Sequence, residues 1–208
     1  MKSLLFLMFA FLSTNLFGLT VNDLQTGDVV LLSLNCMECR VIESETNSLF
    51  SHSGVVVIDQ DKKMKIGQSL GSVALFSFAE FTRNITPKTF VHVYRPREFK
   101  KLSVKQRLIL EENMLSVFND QYRGAPFDSK YVWDNYNANG QEMLYCSEFI
   151  AKFIDNFLTE KTIPQNISYN KHYEYWFKYF KGEVPENELG NSPATFSRDQ
   201  RFEFVGTI

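Results

Sequence analysis

The run from Cys146 to Phe157 is the segment with the fewest structural options. Behind Cys146, apolar residues fall at Phe149, Ile150, Phe153, Ile154 and Phe157. This spacing predicts an amphipathic helix with one buried stripe. Cys146 stands at the start of that helix and on the same face as Phe149, Ile150 and Phe153. The first N–H groups of a helix lack intrahelical partners and carry the positive end of its dipole, so a thiolate there is favoured over the neutral thiol. Such a sulfur is a candidate nucleophile if an imidazole can reach it. The alternative role for Cys146 is that of a small buried hydrophobe.

A chain of 208 residues with 44% apolar and 22% charged content can bury one well-formed core. Its formal net charge of −2 supplies no basic excess to neutralise phosphates, which excludes nucleic acid as an expected partner. Lys2 followed by the apolar stretch Leu4–Leu12 resembles an export signal. That core is far shorter than the roughly 20 residues that span a bilayer as a helix. We therefore read residues 1–18 as a signal peptide and 19–208 as one domain, exported to a periplasmic or extracellular location, with no membrane-spanning segment after signal removal. A monomer is expected. An uncleaved N-terminal anchor is the alternative. Export bears on the cysteines: Cys36 and Cys39 are close enough for a disulfide, which leaves Cys146 as the odd thiol. No further ligands follow the pair at metal-binding spacing, so neither a metal nor another cofactor is expected.

Residues 28–95 read as β-rich. Val29–Leu32, Val55–Ile58, Met64–Ser69, Val73–Phe76 and Phe90–Tyr94 are strand-like runs with short connections, which suggests antiparallel neighbours. Residues 35–49 read as a polar loop between the first two runs. The pattern then turns helical. Ser103 and Gln106 fit a capping box opening a helix through Phe118, and an aromatic and polar loop over 127–141 leads to Cys146. Tyr169–Phe180 reads as a helical aromatic stretch, 182–200 as loop, and Phe202–Val205 as an edge strand. Strands followed by helices make an α+β domain, an antiparallel sheet packed against helices.

Of the three histidines, His52 alone stands at an element boundary, at the mouth of the strand Val55–Ile58 with small residues Ser51, Ser53 and Gly54 around it. His92 alternates within a strand, and His172 sits among charged residues that suit a solvated helix face. If neighbouring strands are antiparallel, Gln68 can present its amide oxygen to the His52 ring and orient it, as a third group does in nucleophilic triads. Cys146, His52 and Gln68 are thus the candidate catalytic set, with Tyr145 and Ser53 as candidate substrate contacts. Glu148 reads as a first-turn residue complementing the helix dipole, and Asp128 and Asp134 as loop-shaping groups.

Gly27-Asp28-Val29-Val30, Ser51-His52-Ser53-Gly54-Val55-Val56, Gly124-Ala125-Pro126-Phe127-Asp128, Trp133-Asp134 and Tyr145-Cys146-Ser147-Glu148-Phe149 resemble, in that order, the circularly permuted papain-like amidases related to NlpC, the YiiX/YaeF-like group. The resemblance covers about residues 24–158; the tail from Pro164 onward matches nothing in it. It implies a papain-like fold in which the histidine strand precedes the cysteine helix, and a Cys-His-polar set. Members often carry a glutamate on the strand after the histidine, where this chain has Gln68. The expected function is cleavage of an amide bond through a Cys-His acyl-enzyme, with a cell-wall peptide as the substrate class. Thioester hydrolysis or acyl transfer on a lipid or acylated protein is one alternative, and a catalytically degenerate binding module another.

Overall fold

The computed structural model describes residues 18–208, so most of the expected signal segment, residues 1–17, lies outside the described residues. The strand-like runs form β1 (Val29–Leu32), β2 (His52–Ile58), β3 (Met64–Leu70), β4 (Ser72–Phe76) and β5 (His92–Pro96). The C-terminal strand is β8 (Phe202–Thr207). Together they make one six-stranded sheet in the order β4-β3-β2-β1-β5-β8. Every neighbouring pair in it is antiparallel. Alternation decides the two faces: Val29, Leu31, Val55 and Val57 join one apolar cluster, while Val30, Leu32, Val56 and Ile66 join the other. Asp28, wholly buried, fixes β1 against β5 by accepting from Arg95 Nε at 2.6 Å and Arg95 Nη2 at 2.8 Å.

Helices cover the first of these faces. The cysteine helix, α5 (Cys146–Asp155), lays Phe149, Ile150 and Phe153 into the cluster, all with no exposed surface. Beside it packs α4 (Val104–Val117), whose Ser103 N-cap and Gln106 form the expected capping box, continued by one π-helical turn at Phe118–Tyr122. Burying the three α5 side chains contributes on the order of 1.5–3 kcal/mol each, enough to anchor a helix of modest length. The short helices α2 (Phe78–Phe81) and α3 (Arg97–Lys100) close sheet connections. The fold is thus α+β, with an antiparallel sheet packed against helices.

Two loop expectations are corrected. Residues 35–49 contain α1 (Met37–Thr46), whose N-cap Cys36 accepts from Cys39 N–H and is disulfide-bonded to Cys39. Its Glu, Ser and Thr content hides the helix from an apolar-periodicity reading, and the cap that starts it is a cysteine rather than a standard Ser, Thr or Asp. Within 182–200 lies α7 (Pro193–Arg198), started by a Ser192 capping box with Pro193 at its first position. The tail also supplies α6 (Tyr173–Tyr179) and the small pair β6 (Gln165–Asn166) with β7 (Leu189–Gly190). Tyr169 and Trp176 from this tail pack with Val41 of α1 in a third apolar cluster, so the tail folds back onto the front of the domain.

Candidate active site

The site assembles where α5 begins. Leu144 approaches along the sheet, its carbonyl accepting from Ser69 Oγ of β3 at 2.6 Å and its N–H donating to Pro126 O at 2.9 Å. Tyr145 is the N-cap in extended conformation and no side chain caps the helix, so the first-turn N–H groups remain free around Cys146. The Cys146 thiol is buried and is the one free cysteine among the described residues.

His52, at the first position of β2, is buried against the ring of Phe81. Its Nε2 bonds to Gln68 Oε1 at 2.5 Å. With Nε2 donating to the amide oxygen, Nδ1 is the nitrogen left for the Cys146 sulfur. The antiparallel register that pairs Val55 with Gly67 is what brings Gln68 to the histidine, since the two strands form a hairpin closed near Asp59. Burial pushes the Cys146 thiol up, but the adjacent His52 charge, its hydrogen bond and the side chain and backbone of Ser53 outweigh burial and hold the thiol below its ordinary value. Burial likewise pushes the His52 imidazole down, and the thiolate together with Gln68 more than reverses this, raising it. The two groups therefore favour a thiolate–imidazolium pair.

The structure brings Cys146, His52 and Gln68 together as the sequence order suggested. Ser53 is fully buried and neighbours the sulfur rather than lining the open cleft. Tyr145 does line the cleft, with its hydroxyl accepting from Asn191 N–H at 2.9 Å. His92 packs between the rings of Phe50 and Phe204 on the sheet, and His172 is the N-cap residue of α6, its Nε2 bonded to Ser44 Oγ at 2.8 Å on the exposed side of the helix start. Asp128 shapes the pre-cysteine loop by accepting from Lys130 N–H, Val132 N–H and Asn135 Nδ2. Glu148 exceeds its expected role as a dipole partner. It is fully buried, accepts from Asp134 N–H at 2.9 Å and pairs with Lys152 at 2.8 Å.

In front of the sulfur lies a cleft of about 530 Å³ whose far walls the sequence did not reveal. They come from α1 (Ile42, Glu45) and from the tail (Ile167, Tyr169, Trp176, Asn191). The aromatic density of Tyr169–Phe180 was the one available signal, compatible equally with a cleft wall or a core cap.

If Gln68 acts by holding the imidazole, Gln68→Ala should leave the fold intact and lower reactivity of Cys146 roughly 10- to 100-fold at neutral pH. Gln68→Glu should keep the reactivity and move the basic limb of its pH profile upward, because a carboxylate stabilises the imidazolium more than an amide does. Alkylation rates of the three proteins across pH check this, and superimposable profiles would show that Gln68 does not position the ring.

No family model matches the chain. In sequence it is 25% identical over 134 residues to an uncharacterized protein, YiiX of Escherichia coli (strain K12); the match takes in 64% of this chain and 59% of that relative's length. In structure it is similar to the metalloprotein YiiX of Escherichia coli O157:H7, with a TM-score of 0.72 at 22% identity over 88% of this chain and 97% of the other. These likenesses support the YiiX side of the resemblance: this is an α+β chain with a YiiX-like fold.

Proposed function

We propose that the chain is a cysteine hydrolase of amide bonds with a circularly permuted papain-like arrangement. One observation carries this reading: a thiol at the uncapped start of α5, paired with a buried histidine that Gln68 holds through its other nitrogen. In the proposed cycle the Cys146 thiolate attacks the substrate carbonyl carbon, forming a C–S bond while the carbonyl electron pair moves onto oxygen. The first-turn N–H groups of α5 stabilise that oxyanion. As it collapses, the C–N bond breaks and the His52 imidazolium gives its proton to the leaving nitrogen. His52 then takes a proton from water as the water oxygen attacks the thioester carbonyl; collapse of that second intermediate breaks the C–S bond, releases the carboxylic acid and restores the Cys146 thiolate beside the His52 imidazolium.

The solved neighbour is by name a metalloprotein. Here the described residues contain one group of three acidic side chains close enough to share an ion, Asp134, Glu142 and Glu148. Lys152 Nζ sits among all three, at 2.7 Å from Asp134 and 2.8 Å from Glu148, and also bonds Glu142. That ammonium already occupies the point the three carboxylates share, so the residues do not suit a metal cation and the proposed cycle uses none.

Export to an oxidising compartment fits the Cys36–Cys39 disulfide, and a cell-wall peptide is the substrate class proposed. The aromatic walls of the cleft favour one second reading, hydrolysis or transfer of a thioester-linked acyl chain. Mass spectrometry of muropeptides incubated with wild type and with Cys146→Ala tests the first: new fragments that vanish in the variant are expected. Labelling of Cys146 by an acyl-thioester probe with intact muropeptides would instead support the second. Neither cleavage nor labelling would leave a binding module.

A further inference from the structure

Buried polar atoms in native interiors are nearly always paired, so each exception raises the question of what completes it. Seven buried side-chain oxygens among the described residues lack a hydrogen-bond partner. Three of them, Ser147 Oγ, Tyr169 OH and Asn191 Oδ1, belong to residues on the wall of the cleft in front of Cys146. Ser147 is 1% exposed and Tyr169 3%. Other polar groups on the same wall have partners: Glu45 accepts from His172 N–H, Lys171 N–H and Trp176 Nε1, and Tyr145 OH accepts from Asn191 N–H. The three unpartnered oxygens therefore belong to residues that share one cleft with Cys146.

The chemistry of that corner is specific. Asn191 Nδ2 donates to Ser147 O at 3.0 Å, which fixes the amide so that Oδ1 can only accept. A ligand N–H or O–H would satisfy it. The Ser147 and Tyr169 hydroxyls can donate to a carbonyl oxygen. An acceptor beside donors is the complement of a peptide unit, and Ile42, Ile167 and Trp176 on the same wall offer an apolar surface for a side chain. A thioester-linked acyl chain has no N–H for Asn191.

Resting on the hydrolase reading above, we propose that Ser147, Tyr169 and Asn191 form a subsite that binds a backbone peptide unit next to the scissile carbonyl, with an apolar or aromatic side chain against Ile42, Ile167 and Trp176. The substrate class is thus a peptide with an apolar side chain at the cleaved position, rather than a lipid acyl group.

Two coumarin amides that differ only by the peptide unit test this: N-acetyl-L-phenylalanyl-aminomethylcoumarin and 3-phenylpropanoyl-aminomethylcoumarin. Wild type should prefer the first in kcat/KM by about tenfold or more, and Tyr169→Phe and Asn191→Leu should each lower that preference by about tenfold, the size expected of a lost hydrogen bond to substrate. Tyr169→Phe should also melt no lower than wild type, because the hydroxyl it loses has no partner in the fold. This readout separates a binding hydroxyl from a structural one. Cys146-dependent cleavage of both amides with the preference unchanged in both variants would overturn the subsite and leave the hydrolase reading standing. A markedly lower melting temperature for Tyr169→Phe would also overturn the subsite, by showing that the hydroxyl serves the fold. Absence of Cys146-dependent cleavage of either amide would take down the hydrolase reading and the subsite with it.

Discussion

His52→Ala should slow alkylation of Cys146 at pH 7 by about 10²-fold, within the range for loss of a catalytic acid–base partner. Two effects combine. Burial, which opposes the thiolate, is left without its main counterweight, so the thiol moves from below its ordinary value to above it. The first-turn N–H groups of α5 remain and keep the residual rate above that of a wholly unassisted buried thiol. In wild type, reactivity should rise with pH at values lower than the ~8.5 of a free cysteine. It should persist until His52, itself raised, gives up its proton. The variant should show one transition, shifted above that of a free cysteine. A stopped-flow titration with iodoacetamide measures both curves. Coincident curves would mean that the imidazole does not act on the sulfur, and the proposed chemistry would fail with it.

Lys152→Ala is expected to be the most damaging substitution for stability outside the apolar core. Lys152 bridges Asp134, Glu142 and Glu148 and lies 4.8 Å from the centroid of the Trp133 ring. Removing it strands the wholly buried Glu148 carboxylate beside two others. The cost of breaking a buried pair in this way is about 3–5 kcal/mol. That cost depends on pH with a definite sign. Burial raises Glu148 to about 7, against the opposing pull of Lys152. The folded state therefore holds this proton more tightly than the unfolded chain, and the contribution of Glu148 to stability falls as pH climbs from about 4.3, its unfolded value, to about 7. Loss of Lys152 moves the upper end of that window higher. Urea unfolding should thus show a larger deficit for the variant at pH 8 than at pH 5, and Glu148→Gln in the same chain should restore much of it. Equal deficits at the two pH values would refute the buried-carboxylate account. The consequence for the site is direct, since Glu148 lies in the first turn of α5 and its bond to Asp134 N–H ties the pre-cysteine loop to the nucleophile helix.

The likeness to YiiX bears unequally on the parts of the molecule. The sequence match covers 64% of this chain, and at 22% identity the structural match speaks for the fold alone.

What the sequence by itself determined is local in origin. A 3.6-residue apolar period fixes α5 and puts Cys146 at its start, because helical geometry follows from the spacing alone. The Ser103–Gln106 cap marks the start of α4 for the same reason. The hairpin of β2 and β3 is nearly as local. Only a short turn separates the strands, so the partner for His52 had to come from a narrow stretch, and Gln68 was within it. Helix α1 escaped because its polar face and cysteine cap carry no strong periodic signal, although the cap is held by a covalent bond between residues three apart. Only the tertiary structure decided the cleft. Its walls depend on pairs such as Glu45 with Trp176 and Arg198 with Thr46, separated by 131 and 152 residues. Nothing in local pattern encodes which distant aromatic stretch folds over a helix start, because that choice is made by apolar surface that any of several segments could cover. The same applies to the unpartnered oxygens of Ser147, Tyr169 and Asn191: a serine, a tyrosine and an asparagine are unremarkable in sequence, and their missing partners exist as an observation only once the fold has brought them to one cleft.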